Sequence, residues 1–205
     1  MRDMKCPKCG SNNYAEILYG LPVLYDELED DSNNNKVLLV GCILFKDSPK
    51  YYCNNCGFKF GSEPLYYNKE ESDYVDYRDT VEFFFFSIGG FDHGYDKIVF
   101  RKKSSSVTLL IMLSLISGKE KVTKELTFDD WSKFLNTLYL DLLIHEWKSE
   151  YYNFNIFDGT QWEVSIALEN GSTVKYRGSN DFPVYWNDFI KLINPFTEFY
   201  GIKFQ

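Results

Sequence analysis

Two CxxC pairs, Cys6-Pro7-Lys8-Cys9-Gly10 and Cys53-Asn54-Asn55-Cys56-Gly57, are the residues of this 205-residue chain whose types and spacing most plainly imply chemistry. A CxxC turn delivers two thiolates to one side of an ion, and two such turns supply the four soft ligands of a tetrahedral zinc site. The glycine after each second cysteine lets the chain turn back at low steric cost. Four protein thiolates leave no coordination position for water or substrate. The expected ion is therefore one structural Zn2+ held by Cys6, Cys9, Cys53 and Cys56. Two disulfides fit this spacing less well, and a redox motif would need only one CxxC between a strand and a helix. Tyr51-Tyr52 and Phe58-Lys59-Phe60 instead give the second pair a hairpin setting.

The fifth cysteine, Cys42, lies in the run Val37-Leu38-Leu39-Val40-Gly41-Cys42-Ile43-Leu44-Phe45. This run reads as a strand over 37–45 with Cys42 as a small buried core residue, because free cysteine is among the most buried residue types. A reactive thiol would need a nearby base, and the only histidines, His93 and His145, are far away in sequence. Other signatures of catalysis are missing. His145-Glu146-Trp147 lacks the second histidine of a helical metal pair, and Gly89-Gly90-Phe91-Asp92-His93-Gly94 lacks dinucleotide spacing. Asp158, Glu150 and His145 are the candidates for an acid–base set, but Asp158-Gly159 reads first as a turn. No enzymatic activity is expected.

Elements that would position the thiols follow from the flanking sequence. Tyr14–Tyr19 and 37–45 read as two ribbon strands, with Asp26-Glu27-Leu28-Glu29-Asp30-Asp31-Ser32-Asn33-Asn34-Asn35 as a solvated acidic loop tip between them. Residues 1–61 then form a four-cysteine zinc ribbon. Residues 62–80, rich in Tyr, Lys, Glu and Asp, read as a polar connector, and residues 81–205 as a separate α+β domain. The expected fold class is α+β: an N-terminal four-cysteine zinc ribbon followed by an antiparallel sheet covered by two helices.

Within 81–205, Val81–Ile88 is a buried strand, and strands over 97–101 and 107–115 continue it as a meander. Thr127-Phe128-Asp129-Asp130 is a capping-box-like start, after which Trp131, Phe134, Leu135, Leu138 and Leu142 recur at helical spacing. Residues 162–168 and 172–177 form a hairpin across Glu169-Asn170-Gly171. A closing helix would take Asp181 as N-cap and Pro183 in its first turn, with Trp186, Phe189, Ile190 and Ile193 on its apolar face. The pair Trp131/Phe134 and Trp186/Phe189 suggests either a duplicated ββα unit or two helices that independently need an aromatic stripe.

Charge narrows the function classes. The net charge is −8; residues 1–61 carry 7 Lys+Arg against 8 Asp+Glu, and residues 62–205 carry 15 against 22. Neither part has the basic excess that phosphate binding relies on, so nucleic acid is not an expected partner. The aromatic fraction of 19% instead suits a desolvated protein interface. The residues before Cys6 lack the apolar core of a secretory leader, and the apolar stretch 107–116 is too short to span a bilayer. A cytoplasmic location without a membrane role is expected.

The segments Trp147-Lys148-Ser149-Glu150-Tyr151, Asp158-Gly159-Thr160-Gln161-Trp162 and Gly178-Ser179-Asn180-Asp181-Phe182-Pro183 resemble a pattern found in uncharacterised bacterial proteins. The N-terminal part, with Cys6-Pro7-Lys8-Cys9-Gly10, Tyr19-Gly20 and Gly41-Cys42, resembles a small bacterial zinc-ribbon family of unknown activity. Those resemblances imply a bacterial cytosolic protein and carry over no catalytic residue. The expected role is a non-enzymatic adaptor that engages a protein partner. The alternatives are a transcription-associated or nucleic-acid-binding ribbon, and an acidic immunity-type protein that neutralises a basic toxin.

Overall fold

The computed structural model describes residues 4–20, 26–90, 94–114, 121–156, 159–198 and 204. The chain is mixed α/β, mostly sheet with four short helices, and divides into two compact units, Met1–Asp76 and Tyr77–Gln205.

The first unit is built on β1 (Tyr14–Tyr19), α1 (Asp26–Asn33), β2 (Val37–Val40), β3 (Tyr51–Cys53) and β4 (Lys59–Phe60), in the sheet order β2-β1-β3-β4. Two expectations are corrected here. The acidic stretch is not a loop tip: it contains α1, whose Leu28 is buried while Glu29 and Asp30 face solvent. One buried leucine anchors this helix, and carboxylates crowd its first turns, where the helix dipole favours negative charge. In addition, β1 and β2, the ribbon strands expected on either side of a loop tip, pair in parallel rather than as an antiparallel hairpin, Glu16 opposite Val37 and Tyr19 opposite Val40. Parallel neighbours need a crossover, and α1 provides it.

The strand expected over 37–45 stops at Val40, opposite Tyr19, the last residue of β1; beyond that pair the Gly20 N–H donates to the Gly41 carbonyl at 3.3 Å and the ladder ends. Cys42 therefore leaves the sheet and is exposed, not buried. Ile43, Leu44 and Phe45 are exposed with it, at 71%, 66% and 60%. Where a polar connector was expected, the chain forms a hairpin of β5 (Leu65–Asn68) and β6 (Asp73–Asp76), with Tyr67 packed edge-on against Tyr74. A short helix, α2 (Tyr77–Thr80), follows it in sequence.

The second unit holds β7 (Val81–Gly90), β8 (Gly94–Lys102), β9 (Val107–Met112), β10 (Lys121–Leu126), β11 (Glu150–Tyr152), β12 (Gln161–Leu168) and β13 (Thr173–Ser179). They form one sheet in the order β10-β9-β8-β7-β12-β13-β11. Every pairing is antiparallel except that of β11 with β13. Side chains alternate across a sheet, so Phe84, Phe86, Ile98, Phe100, Leu109, Ile111, Val164 and Ile166 share one face, all at most 1% exposed. Phe134 of α3 (Phe128–Asn136) packs on Phe84 and Phe100, and Phe189 of α4 (Trp186–Ile193) packs on Phe86, with centroids 4.8–5.0 Å apart.

Helix boundaries follow local chemistry. The capping box at α3 is present: Thr127 Oγ1 accepts the Asp130 N–H, and the Asp130 carboxylate accepts the Thr127 N–H. The single helix expected to run to Leu142 instead widens into a π-helical turn over Thr137–Asp141. Asp181 is not the cap of α4. That helix begins five residues later, at Trp186, and Asp181 accepts the N–H of its neighbour Phe182.

Candidate metal centre

Each CxxC turn is shaped by the same two backbone bonds. The N–H of Gly10 donates to the Cys6 carbonyl and that of Gly57 to the Cys53 carbonyl, at 2.8 and 2.9 Å. The N–H of Cys6 donates to Ser11 and that of Cys53 to Phe58, again at 2.8 and 2.9 Å. Gly10 and Gly57 sit at φ of 76° and 71°, the left-handed region that favours glycine. Two turns of identical wiring thus face one another across residues that are distant in sequence.

They bring Cys6, Cys9, Cys53 and Cys56 together, all four sulfurs within 4.8 Å of one another, and no disulfide joins them. Cys6 Sγ lies 3.7 Å from Cys56 Sγ, and Cys9 Sγ lies 3.6 Å from Cys53 Sγ. A tetrahedral ion with zinc–sulfur bonds of about 2.3 Å requires sulfur–sulfur separations of about 3.8 Å. The thiols fit a single metal ion of that size. Cys6 and Cys53 are fully buried, whereas Cys9 lies at the surface.

Burial pushes the Cys6 thiol up to about 12, against the pull of the N–H groups of Cys9 and Lys8. Burial acts the same way on Cys53, but the N–H groups of Cys56 and Asn55 and the sulfurs of Cys9 and Cys56 together outweigh it and hold that thiol down at about 7. Turn amides aimed at sulfur favour the thiolate, the form that ligates metal.

The supporting residues were not legible in the sequence. Asn54 Nδ2 donates to Asn13 Oδ1 and to the Asn35 carbonyl, both at 2.9 Å, and the Asn54 N–H donates to the Asn13 carbonyl at 3.0 Å. These bonds tie the second turn to the start of β1 and to the turn after α1. Tyr14, Tyr51 and Phe60 form a cluster of rings beneath, 5.3–5.8 Å apart. Lys8 Nζ lies 5.8 Å over the Phe58 ring, crossing from one turn to the other.

The candidate acid–base residues do not assemble into a site among the described residues. Asp158 and His93 lie outside them. Glu150 is held by Arg177 across β11 and β13, and His145 stacks on Tyr139 in a 3-10 turn. No described helix is long and apolar enough to cross a membrane. Comparison with protein-family models and with curated proteins finds no match.

Proposed function

We propose that residues 1–61 form a zinc ribbon holding one structural Zn2+, that α3 and α4 cover the seven-stranded sheet, and that the chain serves as a non-enzymatic adaptor for a protein partner. Zinc would supply folding energy and rigidity, since a four-thiolate site has no open position for chemistry.

The observation that carries the reading is the uncharged stretch from Val37 to Phe45. Its Ile43, Leu44 and Phe45 are the most exposed contiguous apolar residues described in the first unit. Exposed apolar clusters rimmed by polar groups are typical of protein interfaces. Lys36 and Lys46 bracket the stretch and are each neutralised, by Asp31 at 3.0 Å and Asp73 at 2.8 Å. Residues 1–76 carry 8 Lys+Arg against 13 Asp+Glu, and residues 77–205 carry 14 against 17. Acidity concentrates in the unit that bears the apolar stretch. A partner with an apolar pocket and a basic rim complements it, because charge of opposite sign steers encounter while buried apolar anchors supply affinity.

The test compares the full-length protein with the triple variant Ile43→Ser, Leu44→Ser, Phe45→Ser as bait in the source cell. The wild type should retain one stoichiometric, basic partner that the variant loses, with zinc content equal in both. Recovery of the same partner by both baits refutes the docking assignment. Recovery of nucleic acid in place of protein refutes the adaptor reading.

A further inference from the structure

Strand register builds a trough on the second unit, on the sheet face opposite Phe84 and Phe86. Across β8, β7, β12, β13 and β11, one row of directly paired residues reads Tyr95, Gly89, Gln161, Ser179, Tyr152. The row two residues along reads Lys97, Ser87, Glu163, Arg177, Glu150. A hollow lies over these rows, lined by Ser87, Gln161, Glu163, Arg177 and Ser179, with Tyr152 and Phe154 on one side and Tyr95 on the other. The hollow has a volume of about 640 Å³, within the range of small-molecule sites. Four interstrand spacings of about 4.8 Å set the two tyrosine-bearing strands roughly 19 Å apart.

The aromatic walls are exposed to solvent. Phe154 is 84% exposed and stacks on Tyr152, which is 39% exposed; Tyr95 on the other side is 38% exposed. Their supports are fixed. The Asn153 N–H donates to the Ser179 carbonyl at 3.0 Å, and Asn180 Nδ2 donates to the Ile156 carbonyl at 3.4 Å. Beneath the same end, Trp162 Nε1 donates to the Asp181 carbonyl at 2.9 Å. The motifs around Gly159, Trp162 and Gly178-Ser179-Asn180-Asp181 are thus the corner that holds one wall in place.

The floor decides the ligand class. Arg177 is engaged by Glu150 and lies directly opposite Glu163, and Lys97 lies two strands from Glu163 in the same row. Two cations and two carboxylates share this row, so neither sign dominates. Glu150 takes the Arg177 Nε and Nη2 protons and offsets its charge, which disfavours a phosphate but leaves Nη1 as a donor to a hydroxyl, and an apolar side chain would require a floor without charges. Tyr95 Oη donates to Gln161 Oε1 at 2.6 Å, which commits the amide oxygen and leaves its N–H groups as donors. Planar amide, carboxylate and guanidinium groups set side by side suit neighbouring hydroxyls, and exposed rings suit the C–H faces of a sugar.

We propose that this trough binds a neutral oligosaccharide laid across the strands, stacked on Phe154 and Tyr152 and hydrogen-bonded through Gln161, Glu163 and Arg177. The site is independent of the metal centre and of the protein partner proposed above.

Calorimetric titration of the full-length, metal-loaded protein tests it, with cellohexaose, laminarihexaose, maltohexaose, xylohexaose, mannohexaose and chitohexaose as probes at millimolar concentration. At least one should bind saturably. Phe154→Ala and Tyr152→Ala should each weaken that binding about tenfold or more, a loss of roughly 1.4 kcal/mol. Because Phe154 is exposed, its variant should melt with the wild type, so lost binding cannot be blamed on unfolding. Absence of saturable binding with all six probes overturns the proposal. So does binding that neither aromatic substitution changes.

Discussion

Gly178→Ala should destabilise the second unit by about 2–4 kcal/mol although it adds a single methyl group. A Cβ on Gly178 would stand 2.4 Å from Trp162 Nε1, 2.5 Å from Trp162 Cε2 and 2.7 Å from the Asp181 carbonyl oxygen. One of those neighbours is backbone, and the indole is 2% exposed and packed against Trp186 and Tyr151. Overpacking of this kind costs about 1–3 kcal/mol. Displacing the indole also breaks its 2.9 Å bond to Asp181, which adds about 0.5–1.5 kcal/mol. Urea unfolding followed by tryptophan fluorescence reads this cleanly, because all four tryptophans, Trp131, Trp147, Trp162 and Trp186, lie in the second unit. With a slope near 2 kcal/mol/M, the midpoint should fall by about 1–2 M. Gly171→Ala is the control: Gly171 has φ of 79° and open space around its missing Cβ. Its cost is backbone strain alone, about 1 kcal/mol, and Gly171→Asn should be nearly neutral. A Gly178→Ala protein within about 0.5 kcal/mol of wild type would show the corner to be loose and the packing argument mistaken.

Trp186 packs against Phe182 and Trp162 with centroids 4.8 Å apart and is 6% exposed, so Trp186→Ala should cost about 3–5 kcal/mol in the same assay. Thr127→Ala removes the cap of α3 and should cost about 1 kcal/mol. The Thr127 hydroxyl, then its N–H, holds the Asp130 carboxyl below its ordinary value of 3.8. A depressed folded-state pKa contributes stability above the ordinary value and loses it as pH falls through the folded one. The wild type should therefore lose more stability than Thr127→Ala on acidification below about pH 4, and parallel acid profiles would contradict this assignment. Chelation of metal should abolish the amide protection of residues 4–20 and 37–60 in hydrogen exchange while leaving tryptophan emission unchanged; loss of both signals together would show that the two units do not fold separately.

The cluster of four thiols was legible because a CxxC turn is a local device whose spacing carries its own geometry. Phe84 and Phe86 were legible as core from a nearly continuous apolar run, and Phe134 and Phe189 from helical spacing. What escaped is non-local or too short to show a period. The helix α1 contains a single apolar residue, Leu28, so it offered no apolar stripe. The strand β11 has three residues and exists because β13 lies beside it. Cys42 was misplaced because the apolar run outlasts the ladder, whose last pair is Tyr19 with Val40. The Asn13–Asn54 bonds and the trough between Tyr95 and Tyr152 arise from register between distant segments, which composition does not encode.

Zinc content measured together with X-ray absorption at the zinc edge, on protein purified without added metal, bears most directly on the four-thiolate site. One zinc per chain with four sulfur neighbours at about 2.3 Å is expected, unchanged in Cys42→Ser, because Cys42 lies outside the cluster. Clearly less than one zinc, a shell containing nitrogen or oxygen, or oxidation of the four thiols to disulfides in the purified protein would contradict it.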